Sequence, residues 1–305
     1  MGGIRMESVE FHPLGWEDRE ALTRAFREDG RRSCEYCFAN NYLWNHIYRV
    51  EVAGYGDCML LRYVSDGGRK NYVFPLGHGD KRAALEYLRG HVSRQETPLV
   101  LTGLMEEEVK LLEQWYPSEF TVSSDRDMAD YVYRMEDLRD LRGKKYHGKR
   151  NHIARFKEHD WHYERLDSTN TRACQNMLQE WKKGKKDHWD SLAEQEFHVV
   201  ERALCSFEPL ELVGGVLYLG EQVVAFCLGE PLNEDTFVVH FEKAFADVQG
   251  AYPMINQQFV EHECQNYAYI NREEDDGEEG LRRAKMSYRP VFFVEKYTAI
   301  WNSVL

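Results

Sequence analysis

The sequence predicts a mixed α/β fold in two similar halves, each with its own mixed sheet. Period-two apolar runs, which are typical of strands, alternate with runs of helical spacing along the whole chain. Each half contains hairpin-like strands in its middle, joined by short polar turns. The length of 305 residues and the hydrophobic content of 43% suit two domains of ordinary size.

The first half is predicted over residues 1–140. The strands at 58–64 and 71–76 flank SDGGR, whose glycines indicate a turn. Acids early in the helix at 16–29 suit the positive end of a helix dipole. In order, the elements are an extended piece at 9–14, a helix at 16–29, strands at 58–64 and 71–76, a helix at 80–92, a strand at 98–104, a helix at 105–116 and a strand at 131–135.

The second half is predicted over residues 141–305. Ser191 and Glu194 have the spacing of a capping box, and Pro253 suits a first helical position. The turns LGEQ and LNED separate three successive strands. In order, the elements are a strand at 161–166, helices at 171–183 and 191–207, strands at 210–219, 222–230 and 235–244, and a helix from Pro253.

The composition excludes some classes of protein. A net charge of -13 argues against general coating of nucleic acid, although one local basic site stays compatible with it. No apolar run reaches the roughly 20 residues of a membrane helix, and MGGIRM lacks the layout of a secretory signal. Cys34 and Cys37 form a lone CxxC that supplies only two metal ligands. We therefore expect a cytoplasmic protein with no integral membrane segment and no metal site.

A basic stretch, KKYHGKRNHIARF, runs from Lys144 to Phe156 without an acid. As a helix it would pack by an apolar face and present cations on the other. Lysine and arginine bind phosphate or carboxylate, so this stretch is a candidate anion site. A solvated helix with ordinary charges is the alternative. The candidate binding residues are Lys149, Arg150, Asn151 and His152.

A strand, a loop and a helix follow one another in VVHFEKAFADVQGAYPMINQQF. Glu242, at the strand end, is a candidate general base. Gly250 precedes a helix start whose free N–H groups could hold an anion. The alternative is a plain strand-to-helix turn with a surface glutamate.

A third segment, NREEDDGEEGLRRAKMSYRP, joins an acidic run to a short basic turn. The acids lack the layout of an EF-hand, so we read them as a solvated loop. Arg282 and Lys285 are candidate ligands of a carboxylate or phosphate, and the Tyr288 hydroxyl is a candidate proton donor.

Together with FHPL and YCFANNYLW, these three segments resemble a bacterial family named for the C-terminal domain of lysyl-phosphatidylglycerol synthase. The resemblance extends over nearly the whole chain. It implies two tandem GNAT-like domains, related to the Fem-type aminoacyltransferases, with the active cleft in the domain at 141–305. It also implies transfer of an acyl group, with charged tRNA as the favoured donor, to an amine or hydroxyl of a small or peptide-like acceptor.

Two departures from related proteins refine this expectation. A CoA-binding GNAT carries Gln/Arg-x-x-Gly-x-Gly/Ala, and only Gly250 fits that motif here, which favours charged tRNA over acyl-CoA and predicts no tightly held cofactor. The membrane-spanning half of the lipid synthases is also lacking, which argues against a phospholipid acceptor. A CoA-dependent N-acyltransferase and a non-catalytic binder of an anionic ligand or partner remain the alternatives.

Overall fold

A computed structural model describes residues 9–65, 67–95, 97–184 and 190–302. These residues form two compact units. Unit 1 comprises the described residues up to Met128 and those from Glu295 onward, and unit 2 comprises Ala129–Val294. The predicted boundary after residue 140 differs from this division, because residues 129–140 belong to unit 2 and the C-terminal segment belongs to unit 1.

Unit 1 is a seven-stranded sheet in the order β1-β2-β3-β4-β5-β14-β6, with four helices. Only β4 and β5 pair in parallel. The helices are α1 (Arg19–Asp29), α2 (Phe38–Tyr48), α3 (Lys81–Ser93) and α4 (Glu106–Trp115). The strands are β1 (His12–Pro13), β2 (Val50–Tyr55), β3 (Cys58–Val64), β4 (Lys70–Tyr72), β5 (Val100–Leu104), β6 (Phe120–Ser124) and β14 (Tyr297–Trp301).

Unit 2 is a second seven-stranded sheet, in the order β8-β9-β10-β11-β12-β7-β13. Only β11 and β12 pair in parallel. The helices are α5 (Met135–Asp140), α6 (His147–Phe156), α7 (Thr171–Lys183), α8 (Ser191–Cys205), α9 (Ala251–Glu263) and α10 (Glu279–Met286). The strands are β7 (Asp130–Arg134), β8 (Trp161–Arg165), β9 (Val213–Leu219), β10 (Gln222–Pro231), β11 (Thr236–Ala244), β12 (Tyr269–Asn271) and β13 (Phe292–Val294).

The two sheets have the same strand order, but each takes its sixth strand from elsewhere in the chain. β7 follows β6 in sequence and yet pairs with β12 and β13 of unit 2. Likewise, β14 follows β13 in sequence and pairs with β5 and β6 of unit 1. Burial explains the position of β7, because Tyr131, Val132 and Tyr133 have no exposed surface and need a neighbour on each side. This exchange is why a boundary placed after residue 140 differs from the observed division.

Two helix starts differ from the predictions in detail. α9 begins at Ala251, two residues before Pro253. The N-cap of α8 is Asp190 rather than Ser191, and its carboxylate accepts a hydrogen bond from the Ala193 N–H at 2.8 Å. Among the described residues, every helix is too short or too polar to traverse a bilayer.

The two parallel strands of unit 2 separate at their carboxyl ends. β11 pairs with β12 only from Thr236 to Val238, whereas its pairing with β10 continues to Ala244. β12 ends at Asn271. An opening at the carboxyl ends of parallel strands is a common ligand position in α/β sheets. Glu242 lies on β11 beyond the point of separation.

Candidate functional site

A polar cluster surrounds the Glu242 carboxylate in this opening. Arg272, the first residue after β12, donates to both Glu242 oxygens from Nη2 at 3.2 and 3.1 Å. Asn256 of α9 donates from Nδ2 to Glu242 Oε2 at 3.1 Å. Lys149 and Tyr288 lie beside this pair, and we call these five residues the Glu242 cluster.

Arg272 is buried against aromatic rings. Its Cζ lies 4.9 Å from the centre of the Tyr288 ring and 5.8 Å from that of Tyr133, and its side chain is only 11% exposed. Burial opposes its charge, but the Glu242 carboxylate and the tyrosines outweigh burial and raise the pKa of Arg272. Its second terminal nitrogen, Nη1, is buried and has no hydrogen-bond partner among the described residues.

Asn256 is also incompletely satisfied. Because ionised Glu242 can only accept hydrogen bonds, the amide nitrogen of Asn256 faces the carboxylate and Oδ1 faces away. Asn256 Oδ1 is buried and, within the described part of the chain, accepts no hydrogen bond. Buried polar atoms are nearly always paired, so these two atoms are candidates for contact with a ligand.

Lys149 extends from α6 into the same cluster. Its Nζ lies 4.0 Å from the centre of the Tyr288 ring, and the side chain is half-buried. No carboxylate or carbonyl of the described residues accepts a hydrogen bond from it. Burial, followed by the nearby Arg272 guanidinium, lowers the pKa of Lys149 to about 8, and the Glu242 carboxylate opposes this shift only in part.

Tyr288 is held from its backbone. The Tyr146 hydroxyl, just before α6, donates to the Tyr288 carbonyl oxygen at 2.8 Å. Tyr288 is 5% exposed, and burial raises the pKa of its hydroxyl despite the opposing Arg272 charge. Tyr288 therefore keeps its proton at neutral pH and presents its ring to Arg272 and Lys149.

The segment after β12 is fixed by its own charges. Arg282 donates to the buried Asp275 carboxylate from Nε at 2.9 Å and from Nη2 at 2.6 Å, and the Tyr131 hydroxyl donates to it as well. Lys285 Nζ donates to the Arg272 carbonyl at 2.7 Å and to the Glu274 carbonyl. Both cations predicted to bind substrate thus hold the segment that carries Arg272.

The predicted anion binders of the basic stretch separate around α6, because successive helical residues point about 100° apart. Only Lys149 reaches the Glu242 cluster. Arg150 Nη1 donates to the carbonyls of Leu141 and Gly143 at 2.5 and 2.7 Å. Asn151 and His152 are exposed. The predicted apolar face is confirmed, since Tyr146, Ile153 and Phe156 are at most 5% exposed.

Gly250 lies where the start of α9 packs against α6. Its φ is +86°, and a Cβ atom there would lie 2.3 Å from the His152 carbonyl oxygen. Glycine therefore allows the start of α9 to approach α6 closely. The prediction that the N–H groups of this helix start hold an anion stays a prediction.

The structure thus brings Glu242, Lys149 and Tyr288 together, three of the predicted site residues. Arg272 and Asn256, which complete the cluster, were not predicted. Their position in the structure explains their role: Arg272 follows β12, the parallel partner of β11, and Asn256 lies in the first turns of the intervening helix α9.

Comparison with known sequences identifies related proteins. The family model described as "Phosphatidylglycerol lysyltransferase, C-terminal" matches residues 26–300. An uncharacterized protein of Mycoplasmoides gallisepticum, MYCGA3080, is 24% identical over 192 residues. That match covers 60% of this chain and only 60% of the relative's length.

Comparison with solved structures extends this result. A conserved protein of unknown function from Bacteroides thetaiotaomicron has a TM-score of 0.90 and 36% identity, with coverage of 96% of this chain and 99% of that chain. The L-PGS of Bacillus licheniformis has a TM-score of 0.66 and 15% identity, over 98% and 95%. FemX has a TM-score of 0.63 and 7% identity, over 96% and 98%. The fold shared with FemX and L-PGS confirms the predicted tandem GNAT-like, mixed α/β architecture.

Proposed function

Because the chain belongs to the phosphatidylglycerol lysyltransferase C-terminal family, we propose that it is an acyltransferase that moves an aminoacyl group from charged tRNA to an amine or hydroxyl. The observation that supports this reaction is the set of polar atoms without partners in the Glu242 cluster. Arg272 Nη1 and Lys149 Nζ offer hydrogen-bond donors, and Asn256 Oδ1 offers an acceptor.

The donors and the acceptor match an aminoacyl ester. Leaving a buried polar atom unpaired costs about 1–3 kcal/mol, so a ligand that pairs these atoms gains that energy. An aminoacyl ester has a carbonyl oxygen that accepts hydrogen bonds and, on the next carbon, an amino group that donates them. An acetyl thioester has the carbonyl without the amine. The set of unpaired atoms therefore favours an aminoacyl donor.

Arg272 is the proposed stabiliser of the transition state. When the acceptor attacks the ester, negative charge develops on the carbonyl oxygen, and a fixed donor in a dry site stabilises that charge strongly. Arg272 meets these conditions because Glu242 and the Tyr288 ring hold it in place. The role of Glu242 as general base stays a prediction, and its three hydrogen bonds leave little room for a substrate proton.

The start of α9 supports charged tRNA over acyl-CoA as the donor. In CoA-dependent relatives of this fold, the loop before the corresponding helix carries the pyrophosphate motif, of which this chain keeps only Gly250. Here the His152 carbonyl oxygen faces that glycine, and an oxygen with partial negative charge repels a phosphate. The proposed acceptor is small or peptide-like, and no tightly bound cofactor is required.

The test is thermal unfolding with three probes. These are a tRNA that carries its amino acid through a stable 3′-amide, the same tRNA uncharged, and acetyl-CoA. Ligands that bind only the folded state raise its unfolding temperature. We expect a larger rise with the charged analogue than with uncharged tRNA, and loss of that difference in Arg272→Gln.

Arg142→Gln is the matched control, because Arg142 is an arginine whose side chain is 84% exposed. This variant should respond as the wild type does. Stabilisation by acetyl-CoA alone would indicate the CoA-dependent enzyme. Equal responses to charged and uncharged tRNA, without transfer to any nucleophile, would indicate a binding protein instead.

A further inference from the structure

We propose that Lys149 takes the proton from the attacking group of the acceptor and returns it to the leaving ribose oxygen. This role rests on the proposed function for the identity of the reactants. The protonation state of the Lys149 amine can be measured without the transfer reaction.

The position of Lys149 is unusual for a lysine. Lysines are almost always exposed or paired. This side chain is half-buried, and its Nζ lies 4.0 Å from the centre of the Tyr288 ring without an ion-pair or hydrogen-bond partner among the described residues. An aromatic face attracts a cation but accepts no ordinary hydrogen bond. The ammonium form is therefore poorly solvated, and the neutral amine is favoured more than at the surface.

Of the two charged groups that face Lys149, Arg272 favours the neutral amine and Glu242 opposes it only in part. Arg272, after β12, is a second cation beside it, and Glu242 of β11 is already paired with Arg272. Tyr288 keeps its proton, and Asn256 of α9 is neutral. On its own helix, Arg150 is turned toward carbonyl oxygens.

Lys149 is thus the member of the Glu242 cluster that changes protonation near neutral pH. With its pKa at about 8, roughly a tenth of the molecules hold the neutral amine at pH 7. The other charged members are less suited to this role, because arginine does not lose its proton in proteins and Glu242 already accepts three hydrogen bonds.

The step balances without a cofactor. The acceptor nitrogen or oxygen forms a bond to the ester carbonyl carbon, and its proton passes to Lys149 Nζ. The bond between that carbon and the ribose oxygen then breaks, and the ribose oxygen takes the proton back from Nζ. Lys149 finishes as the neutral amine, while Arg272 Nη1 stabilises the intermediate oxyanion.

The first measurement needs no substrate. The full chain is acylated briefly with a water-soluble succinimidyl ester between pH 6 and 11, and modification of Lys149 is quantified by mass spectrometry. The exposed Lys144 in the same digest reports the reactivity of the reagent. We expect a midpoint for Lys149 near pH 8, a lower midpoint in Glu242→Gln and a higher one in Arg272→Met. A midpoint that neither substitution moves would overturn the proposal.

The second measurement is transfer from charged tRNA. Lys149→Arg keeps a cation but cannot exchange the proton, so we expect turnover to fall about 100-fold or more, with binding of the charged analogue retained. Lys110→Met, an exposed lysine of α4, is the control. Turnover by Lys149→Arg close to wild type would reject the role while the function stands. No transfer by the wild type would reject the proposed function and this role together.

Discussion

The two units share one strand order and differ at the carboxyl ends of their parallel strands. In unit 1, β4 leads into Phe74 and Leu76 and β5 ends at Leu104, and all three are at most 1% exposed. In unit 2, the corresponding strands lead to Glu242 and Arg272. Corresponding strands thus lead to buried apolar side chains in unit 1 and to a charged cluster in unit 2. The two units therefore differ in a few side chains at strand ends rather than in topology.

Unit 1 also buries charges, and these form ion pairs with one another. Lys81 donates to Asp29 at 2.5 Å, and Arg31 forms ion pairs with Asp29, at 3.3 Å, and with Glu108. In unit 2, the Glu242 cluster has atoms that no described residue satisfies. Buried atoms without a hydrogen-bond partner among the described residues also occur in unit 1, at Ser33 Oγ and Arg89 Nε, so neither charge nor such an atom marks a site by itself. The Glu242 cluster differs because these atoms lie beside a lysine whose pKa is lowered, at the carboxyl ends of the parallel strands.

The largest effect on transfer is expected when an apolar residue replaces Arg272, so that the strand ends of unit 2 resemble those of unit 1. Arg272→Leu removes the proposed oxyanion donor, and transfer should fall by about 100- to 1000-fold. It also leaves the Glu242 carboxylate, 11% exposed, without its partner, which should cost about 3–5 kcal/mol of unfolding free energy. Transfer kinetics and denaturant unfolding measure the two effects.

The double variant Glu242→Leu/Arg272→Leu separates stability from function. Replacing both partners of a buried ion pair by apolar residues is often neutral, so most of the lost stability should return. Transfer should stay absent. A double variant that is as unstable as Arg272→Leu would show that the two openings are not interchangeable in packing.

Asp275→Asn is expected to have the next largest effect, on the stability of unit 2. The hydrogen bonds from Arg282 lower the pKa of Asp275 from its usual 3.8, so the folded state binds fewer protons than the unfolded state. The carboxylate therefore stabilises the protein above about pH 4, and that contribution is lost as the pH falls through the folded-state pKa. The variant should lose about 2–3 kcal/mol at pH 7, because charged hydrogen bonds are removed.

Calorimetry across pH 2 to 7 tests the direction of this pH dependence of stability. The difference between wild type and Asp275→Asn should shrink as the pH falls. An equal difference at all pH values would mean that the charge of Asp275 is unimportant. Asp276→Asn is the matched control.

Lys285→Met should act on transfer through the position of Arg272. Without the ammonium, the carbonyls of Arg272 and Glu274 lose a donor, and the segment carrying the guanidinium is less firmly held. We expect turnover to fall about 10- to 100-fold, since small misplacements of a catalytic group have effects of that size. Lys285→Arg should restore part of the rate. Charged-tRNA binding that is lost together with turnover would indicate a ligand role, as the sequence predicted.

The sequence could predict the two-sheet fold because alternation, turns and helical spacing are local properties. It also placed Glu242 at a strand end and Tyr146, Ile153 and Phe156 on one face of a helix. The sequence could not predict that β7 joins the sheet of unit 2 and β14 that of unit 1, because the sheet that a strand joins depends on residues distant in sequence.

The site was predicted less completely for the same reason. Arg282 and Lys285 were chosen for their charge, but Asp275 and two backbone carbonyls occupy them. Arg272 stands next to an acidic run in sequence, yet its carboxylate partner lies 30 residues away on another strand. Pairing of charges over such separations cannot be read from spacing.

The smallest effect is expected at the start of α3, which we compare with the start of α9 because both helices follow a parallel strand. α3 is capped by Asp80, which accepts a hydrogen bond from the Ala83 N–H at 2.9 Å, whereas α9 has no side-chain cap and packs through Gly250 against α6. Asp80→Ala should cost about 1 kcal/mol, the usual value of a cap.

Gly250→Ala should cost more than Asp80→Ala, because a Cβ at positive φ would also meet the His152 carbonyl oxygen at 2.3 Å. We expect a loss of about 2–3 kcal/mol, from the strained backbone and the required shift of α6. That shift would move Lys149 relative to Tyr288, so Gly250→Ala should also reduce transfer, whereas Asp80→Ala should not. Equal losses of stability in the two variants would mean that α6 can shift at no cost in stability and that Gly250 serves only as a turn residue.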